Sequence, residues 1–361
     1  MKFVLNQFQV MPRNSNFVTR ESNRLRAFPT GWFLVCFSDE LAAGEVKSIK
    51  FMGQDLVVFR TDSGTACLSD AFCPHMGAHL GHGGTIEGET LRCPFHGFCF
   101  DTQGACVKTG YDTKPPRKAR LRTWPLEEMN GLILAHHHQD WEAPAWRVPK
   151  LDDSGWTPLS HHTREIRANP YDTAENSVDF GHLSIVHGYR KTEIISPLST
   201  DGPKLTASYA MDRNAGLFLK RSDLRAEFQI TKWGLGYSCV EVEVPEFGLR
   251  SRHFVFPSAI DHEMLKLNVA VSLRHVAHPE KINPLLRLVP KPALHRMILA
   301  ASMRGYKADV SQDFEIWEHK IGVERPPLAE GDGPIHAFRE WTTQFDPGPK
   351  RDTSAVFSAA E

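Results

Sequence analysis

From Gly31 onward the chain runs in short apolar stretches separated by turn residues. Gly31-Trp-Phe-Leu-Val35, Asp55-Leu-Val-Val-Phe59 followed by Asp62-Ser-Gly64, and Gly131-Leu-Ile-Leu134 are examples. Runs this short, with glycine between them, predict the strands of a small all-β domain. It is expected over residues 28–145, behind a polar N-terminal arm of residues 1–27, and to close near Pro144-Ala-Trp146. The rest, 146–361, has another texture. Val240-Glu-Val-Glu-Val244 and Leu265-Lys-Leu-Asn-Val-Ala-Val-Ser-Leu273 alternate with period two, so each buries one face. Several such strands between about 205 and 275 predict an antiparallel sheet. Helical spacing appears over Ala174–Ile185 and again over 292–320, where Leu294, Ile298, Met303, Phe314, Ile316 and Trp317 sit among charges. The fold class is α+β: a small all-β domain followed by an antiparallel sheet flanked by helices.

Bulk properties narrow the function. A net charge of −1 over 361 residues argues against a nucleic-acid footprint. Cys36, Cys67, Cys99, Cys106 and Cys239 form no regular framework and are expected to be reduced thiols, mostly small buried hydrophobes, in a cytosolic compartment. No run reaches the length of a membrane-spanning helix, and the N-terminal apolar stretch is too short for a signal peptide. The expectation is a soluble, cytoplasmic protein whose tail after Pro347 is loosely ordered.

Chemistry concentrates in two pairs, Cys73-Pro-His75 and Cys93-Pro-Phe-His96, set among Gly77, Gly81, Gly83, Gly84 and Gly97. Zinc also takes Cys2His2 sets, but as C-x2-4-C with H-x3-5-H, a spacing these pairs do not have. One thiolate and one imidazole per box is the ligand order of a Rieske [2Fe–2S] cluster, in which two histidines replace two cysteines on one iron. The flanks, Cys-Pro-His-Met-Gly-Ala-His-Leu and Cys-Pro-Phe-His-Gly-Phe, resemble the two Rieske boxes. Respiratory Rieske proteins carry an extra, disulfide-bonded cysteine in each box. Ala78 and Phe95 stand there, so the boxes are similar to the ferredoxin and oxygenase branch. A potential on the order of −150 mV is expected.

A second site is suggested by Glu175-Asn176-Ser-Val-Asp179-Phe-Gly-His182-Leu-Ser-Ile-Val-His187. Histidines five apart lie about 140° apart on an ideal helix, so they share a metal only if the helix bends or ends between them. An electron carrier fused to such a pair needs an electron sink. Non-heme iron in a 2-His-1-carboxylate triad is one, with open positions for O2 and substrate. The carboxylate would come from Tyr306-Lys-Ala-Asp309-Val-Ser-Gln-Asp313-Phe-Glu-Ile-Trp317, where Asp309, Asp313, Glu315 and Glu318 all compete.

Together, the Rieske boxes, Glu-Asn-x-x-Asp-x-x-His-x4-His and Gln-Asp-x-x-Ile-Trp resemble the catalytic subunits of Rieske non-heme iron oxygenases, from about Gly31 to Trp341. The resemblance implies that Cys73, His75, Cys93 and His96 hold the cluster. It further implies that His182, His187 and Asp313 hold a mononuclear Fe(2+), with O2 as co-substrate. Asp179 would hydrogen-bond His182 and reach His96 of a neighbouring subunit in a homotrimer. Asn176 also matches the motif, and a structural and a functional role both stand open. With no Gly-x-Gly-x-x-Gly between a strand and a helix, electrons would come from a separate NAD(P)H-dependent flavin reductase, with or without a ferredoxin.

The wording of the first box, with Asp332-Gly-Pro-Ile and Phe338-Arg-Glu-Trp341, is similar to the sterol-acting branch of cholesterol 7-desaturases and 3-ketosteroid 9α-hydroxylases. Arylamine or other aromatic oxygenation is the alternative within the family, and a Rieske electron carrier without oxygenase activity the alternative outside it. His136-His-His138 reads as a solvated strand end, and His79 and His82 as loop residues near the cluster. Basic residues at 281–304 flank Leu285, Leu286, Leu288, Leu294, Ile298 and Leu299, either as a membrane-surface face or as a helix packed on the sheet.

Overall fold

The structure, a computed structural model, describes residue 25, residues 27–213 and residues 224–348. The expected N-terminal arm and loose tail fall almost wholly outside the described residues. The first part is all strand: β1 (Gly31–Phe37), β2 (Val46–Phe51), β3 (Gln54–Arg60), β4 (Ala66–Asp70), β5 (Thr85–Glu87), β6 (Thr90–Arg92), β7 (Cys99–Phe100), β8 (Cys106–Lys108), β9 (Leu126–Met129) and β10 (Leu132–His137). They form three small antiparallel sheets, β1-β10-β9, β2-β3-β4 and β5-β6-β7-β8.

The second part is built on one seven-stranded antiparallel sheet in the order β11-β17-β16-β15-β14-β13-β12. Its strands are β11 (Ser160–Arg167), β12 (Arg190–Asp201), β13 (Lys204–Arg213), β14 (Leu224–Trp233), β15 (Tyr237–Val244), β16 (Leu249–Ala259) and β17 (Met264–Val276). The helices are α1 (Pro170–Glu175), α2 (Phe180–Ile185), α3 (Pro279–Ile282), α4 (Lys291–Ser311), α5 (Phe314–His319) and α6 (Ile335–Thr342). No helix among the described residues is long and apolar enough to cross a membrane.

The alternation seen in the sequence sorts the two faces of this sheet. On one face Tyr237, Cys239, Phe254, Phe256 and Ala270 join Trp32, Leu34 and Phe37 of β1 in a single apolar cluster, so the first part is packed against the second. The other face carries the helices: α4 packs across β17 and β11, and α5 on β11. There Leu265, Leu267 and Val269 cluster with Trp317, Val310 and Phe314.

Two expectations are corrected. The histidine run 136–138 is not a solvated strand end: His136 and His137 are buried, at 3% and 6% exposure. That end of β10 pairs with β1, Trp32 opposite His136 and Gly31 opposite His137, and His136 N–H donates to the Pro125 carbonyl at 2.9 Å on the other edge. His137 Nδ1 lies 2.9 Å from the Pro29 carbonyl, and His136 packs edge-on against Trp32. Burial pushes both imidazoles down to about 4. The helix over 174–185 is two short helices, for the reasons that build the site below.

Candidate metal centres

The two Cys-His boxes fold as matching loops. Cys73 N–H donates to Ala78 O at 2.8 Å and Gly77 N–H to Cys73 O at 2.9 Å. In the second loop Cys93 N–H donates to Phe98 O at 2.8 Å and Gly97 N–H to Cys93 O at 3.1 Å. Gly77 and Gly97 stand at φ +73° and +65°, where a side chain would be strained. The result is two buried cysteines facing one another, with His75 and His96 beside them at 4.8 Å between ring centroids. His75 also stacks on Phe98 at 4.2 Å. Burial and the neighbouring Cys93 push the Cys73 thiol up to about 11, a proton that a bound metal displaces.

No three of these four side chains bring their donor atoms within 4.8 Å of one another. A single tetrahedral zinc would hold all its ligand atoms within about 4 Å. Two thiols and two imidazoles held further apart fit a group with two metal ions. Phe72, Met76, Phe95 and Tyr111, each at least half exposed, rim this end of the molecule.

Gly110 supports the second loop. Its N–H donates to the His96 carbonyl at 3.2 Å, and an added Cβ would stand 2.3 Å from that oxygen. Gly110→Ala is therefore expected to displace His96 at a cost of roughly 1–3 kcal/mol. Acid-labile sulfide per chain should fall below the wild-type value, and an unchanged sulfide content would refute this.

The second site depends on helix ends. Asn169 caps α1, its side chain accepting from Asp172 N–H at 3.0 Å, with Pro170 in the first turn. The helix stops at Glu175, whose carboxylate pairs with Arg339 of α6 at Nη2···Oε1 2.9 Å. Asp179 then starts α2, its carboxylate accepting from His182 N–H at 3.2 Å. α2 ends at Ile185, and Gly188 turns the chain at φ +69°. The helix thus ends between the two histidines, which brings their rings to 5.2 Å.

The opposite side comes from the break between α4 and α5. Asp313 lies there with its Oδ2 3.4 Å from His187 Nε2. His182, His187 and Asp313 present ligand atoms that all lie within 4.8 Å of one another. The side chains of His187 and Asp313 are buried, at 7% and 8% exposure. Asp309, one turn earlier, is instead held by Arg213, Nη2···Oδ1 2.6 Å. Glu315 and Glu318 gather with His319 on the outer side of α5, away from the histidine pair. Asn176 lies near Trp317, whose Nε1–H points at its Oδ1 over 3.4 Å.

One further residue emerges. Gln312 places its Oε1 3.1 Å from His187 Nδ1, so that nitrogen donates and Nε2 is left facing Asp313. The sequence signal was its position directly before Asp313. Burial opposes protonation of His187, but Asp313 and Gln312 outweigh it and hold the imidazole above its usual range. Burial likewise raises the Asp179 carboxyl, and its contacts with His182 outweigh that and hold it below the usual carboxylate range. His182 Nδ1 is buried without a hydrogen bond, 3.6 Å from Asp179 Oδ2. Two imidazoles and one carboxylate whose ligand atoms lie this close together fit a metal ion of the facial-triad type.

Comparison with known proteins covers both parts. Residues 31–125 match the Rieske [2Fe-2S] domain and residues 135–345 the 3-ketosteroid 9alpha-hydroxylase C-terminal domain. A cholesterol 7-desaturase of Ciona intestinalis is 30% identical over 88% of this chain and 68% of its own length. A probable 3-ketosteroid-9-alpha-monooxygenase oxygenase component of Rhodococcus rhodochrous is 28% identical over 88% of this chain and 80% of its own. Among solved structures, dicamba monooxygenase bound to dicamba superposes with a TM-score of 0.63 at 16% identity, covering 88% of this chain and 98% of that one.

Proposed function

The chain belongs to the Rieske oxygenase family, and from that premise we propose that it oxidises a C–H bond of a sterol or steroid, using O2 and electrons supplied from outside. It is the oxygenase component of a multicomponent system. A separate NAD(P)H-dependent flavin reductase, a ferredoxin or both complete that system. The observation that carries the reading is the meeting of His182, His187 and Asp313 in a chain that also holds the two Cys-His boxes.

We assign Cys73, His75, Cys93 and His96 to the cluster and His182, His187 and Asp313 to the iron, in domains of residues 28–145 and 146–361. When bound, these groups supply single electrons and open positions for O2. The protein's own share is positioning. Gln312 fixes the His187 ring, Asp179 orients His182, and burial keeps water from His187 and Asp313. Beneath α2, Leu183, Tyr209, Met211 and Ile230 form an apolar cluster beside the candidate iron site, in keeping with a hydrophobic substrate. The relatives named for cholesterol and 3-ketosteroids favour a steroid over an aromatic substrate, because the dicamba enzyme shares the fold at only 16% identity.

Finer assignments follow. The exposed rim of Phe72, Met76, Phe95 and Tyr111 supports a homotrimer in which the cluster of one chain meets the iron site of the next. Leu285 and Leu288 are 70% and 80% exposed among Lys281, Arg287 and Lys291, which supports peripheral contact with a membrane surface. The seven cysteines are all unpaired, which supports a cytoplasmic location.

The test is metal and sulfide analysis of anaerobically purified protein, then turnover of cholesterol with a surrogate reductase. Three irons and two sulfides per chain are expected. The product should have lost two hydrogens or gained one oxygen. Two irons that Fe(2+) addition does not raise would favour the electron carrier.

A further inference from the structure

Lys232 is a buried lysine with nothing to bind. It is 3% exposed, and among the described residues its ammonium has no hydrogen-bond or ion partner. Leaving an ammonium unpaired inside a protein is costly, so the position asks for an explanation. Burial alone pushes it down to about 7, with no neighbouring carboxylate to offset that.

The sheet register locates the residue. In β14 the side chains of Phe228, Ile230 and Lys232 share one face. Phe228 and Ile230 belong to the apolar cluster that includes Phe180 and Leu183 of α2. Lys232 is therefore on the helix-covered face, next along the strand from the residues beneath the candidate iron site. Its cross-strand neighbours are Leu205 and Ser238. Leu205 belongs to the same apolar cluster as Ala174 and Val178, which bracket Asn176 between α1 and α2. Lys232 thus lies on the buried face of the sheet between Leu205 and Ser238, and Leu205 ties that position to the segment that leads to Asp179 and His182.

We propose that Lys232 sets substrate specificity: its Nζ donates a hydrogen bond to a hydroxyl or carbonyl oxygen at one end of the bound steroid. This rests on the steroid reading above. A rigid hydrocarbon with a single polar end matches an apolar surrounding that holds one unpartnered amine. The ligand supplies the acceptor that the fold withholds.

The experiment measures equilibrium binding to the fully loaded protein, without reductant. The probes are cholesterol, cholest-4-en-3-one and the oxygen-free cholest-5-ene, each delivered from cyclodextrin. Wild type is expected to prefer the oxygenated probes by about tenfold to a hundredfold, the range for a hydrogen bond to a charged donor. Lys232→Met should bind all three alike, while Lys232→Gln, which keeps a donor, should retain part of the preference. A wild type without preference, or a Lys232→Met variant that keeps it, overturns the role of Lys232 and leaves the steroid reading standing. Failure of wild type to bind any of the three overturns the steroid reading and this role with it.

Discussion

Asp313→Ala protein, purified without oxygen, will carry two irons and two acid-labile sulfides per chain, show the dithionite-reduced Rieske EPR signal unchanged, and turn over at least about 10³-fold more slowly than wild type. That loss corresponds to about 4 kcal/mol in the barrier. The carboxylate is the one anionic member of the donor set, and its side chain is 8% exposed, so water replaces it poorly. The boxes lie in a different part of the fold with their own apolar cluster, which includes Cys73, Cys93 and Phe98, and so should keep their cluster. Loss of both metal groups would refute this division of labour. Asp309→Ala is the control, because that carboxylate is already engaged by Arg213 and should leave three irons in place. A pH dependence accompanies the prediction. Asp313 and Gln312 raise the His187 pKa in the metal-free site, outweighing burial. Iron must displace that proton, so its affinity should weaken as pH falls through the raised value and recover above it.

Much of this was legible in the sequence for a local reason. Each Cys-His box is a single turn, so its ligands and glycines are neighbours in the chain, and the loops around Cys73 and Cys93 need no distant partner to be recognised. Period-two alternation likewise announces β15 and β17, although β17 is buried on both faces from Leu267 to Leu273, under the helices on one side and against the β1 cluster on the other. What stayed hidden depends on contacts between distant residues. The stop between α1 and α2 is fixed by the Asp179 cap and by Phe180 N–H donating to the Asp332 carbonyl at 3.2 Å. Spacing alone only required that the helix end somewhere between His182 and His187. The burial of His136 and His137 comes from β1, about a hundred residues earlier in the chain, and polar residues at a strand end read as solvated until that pairing is known. Asp309 is engaged by Arg213 from β13, a contact that favours the proposed Asp313 and that no local pattern announces.

The second large effect concerns a residue that is no candidate ligand. Asp179→Asn is expected to leave three irons per chain and a normal cluster signal, yet slow turnover by at least about 100-fold, the upper range for loss of a carboxylate behind a metal-bound histidine. Asparagine is as good a helix cap as aspartate, so the bond to His182 N–H that starts α2 should survive. What is lost is charge. The carboxylate lies 3.6 Å from His182 Nδ1 and is held ionised, its contacts with His182 outweighing burial. The Asp179 side chain is also 34% exposed, so one flank of it is open to the surface while the other orients His182. A group with one side on His182 and one side outward suits the contact with His96 of a neighbouring chain that the proposed homotrimer requires. The deciding measurement is single turnover with the cluster reduced beforehand. Slow reoxidation of the cluster with iron retained would mark Asp179 as the electron's route between subunits. Loss of iron would reduce it to a positioning residue for His182, and full activity would remove it from the mechanism.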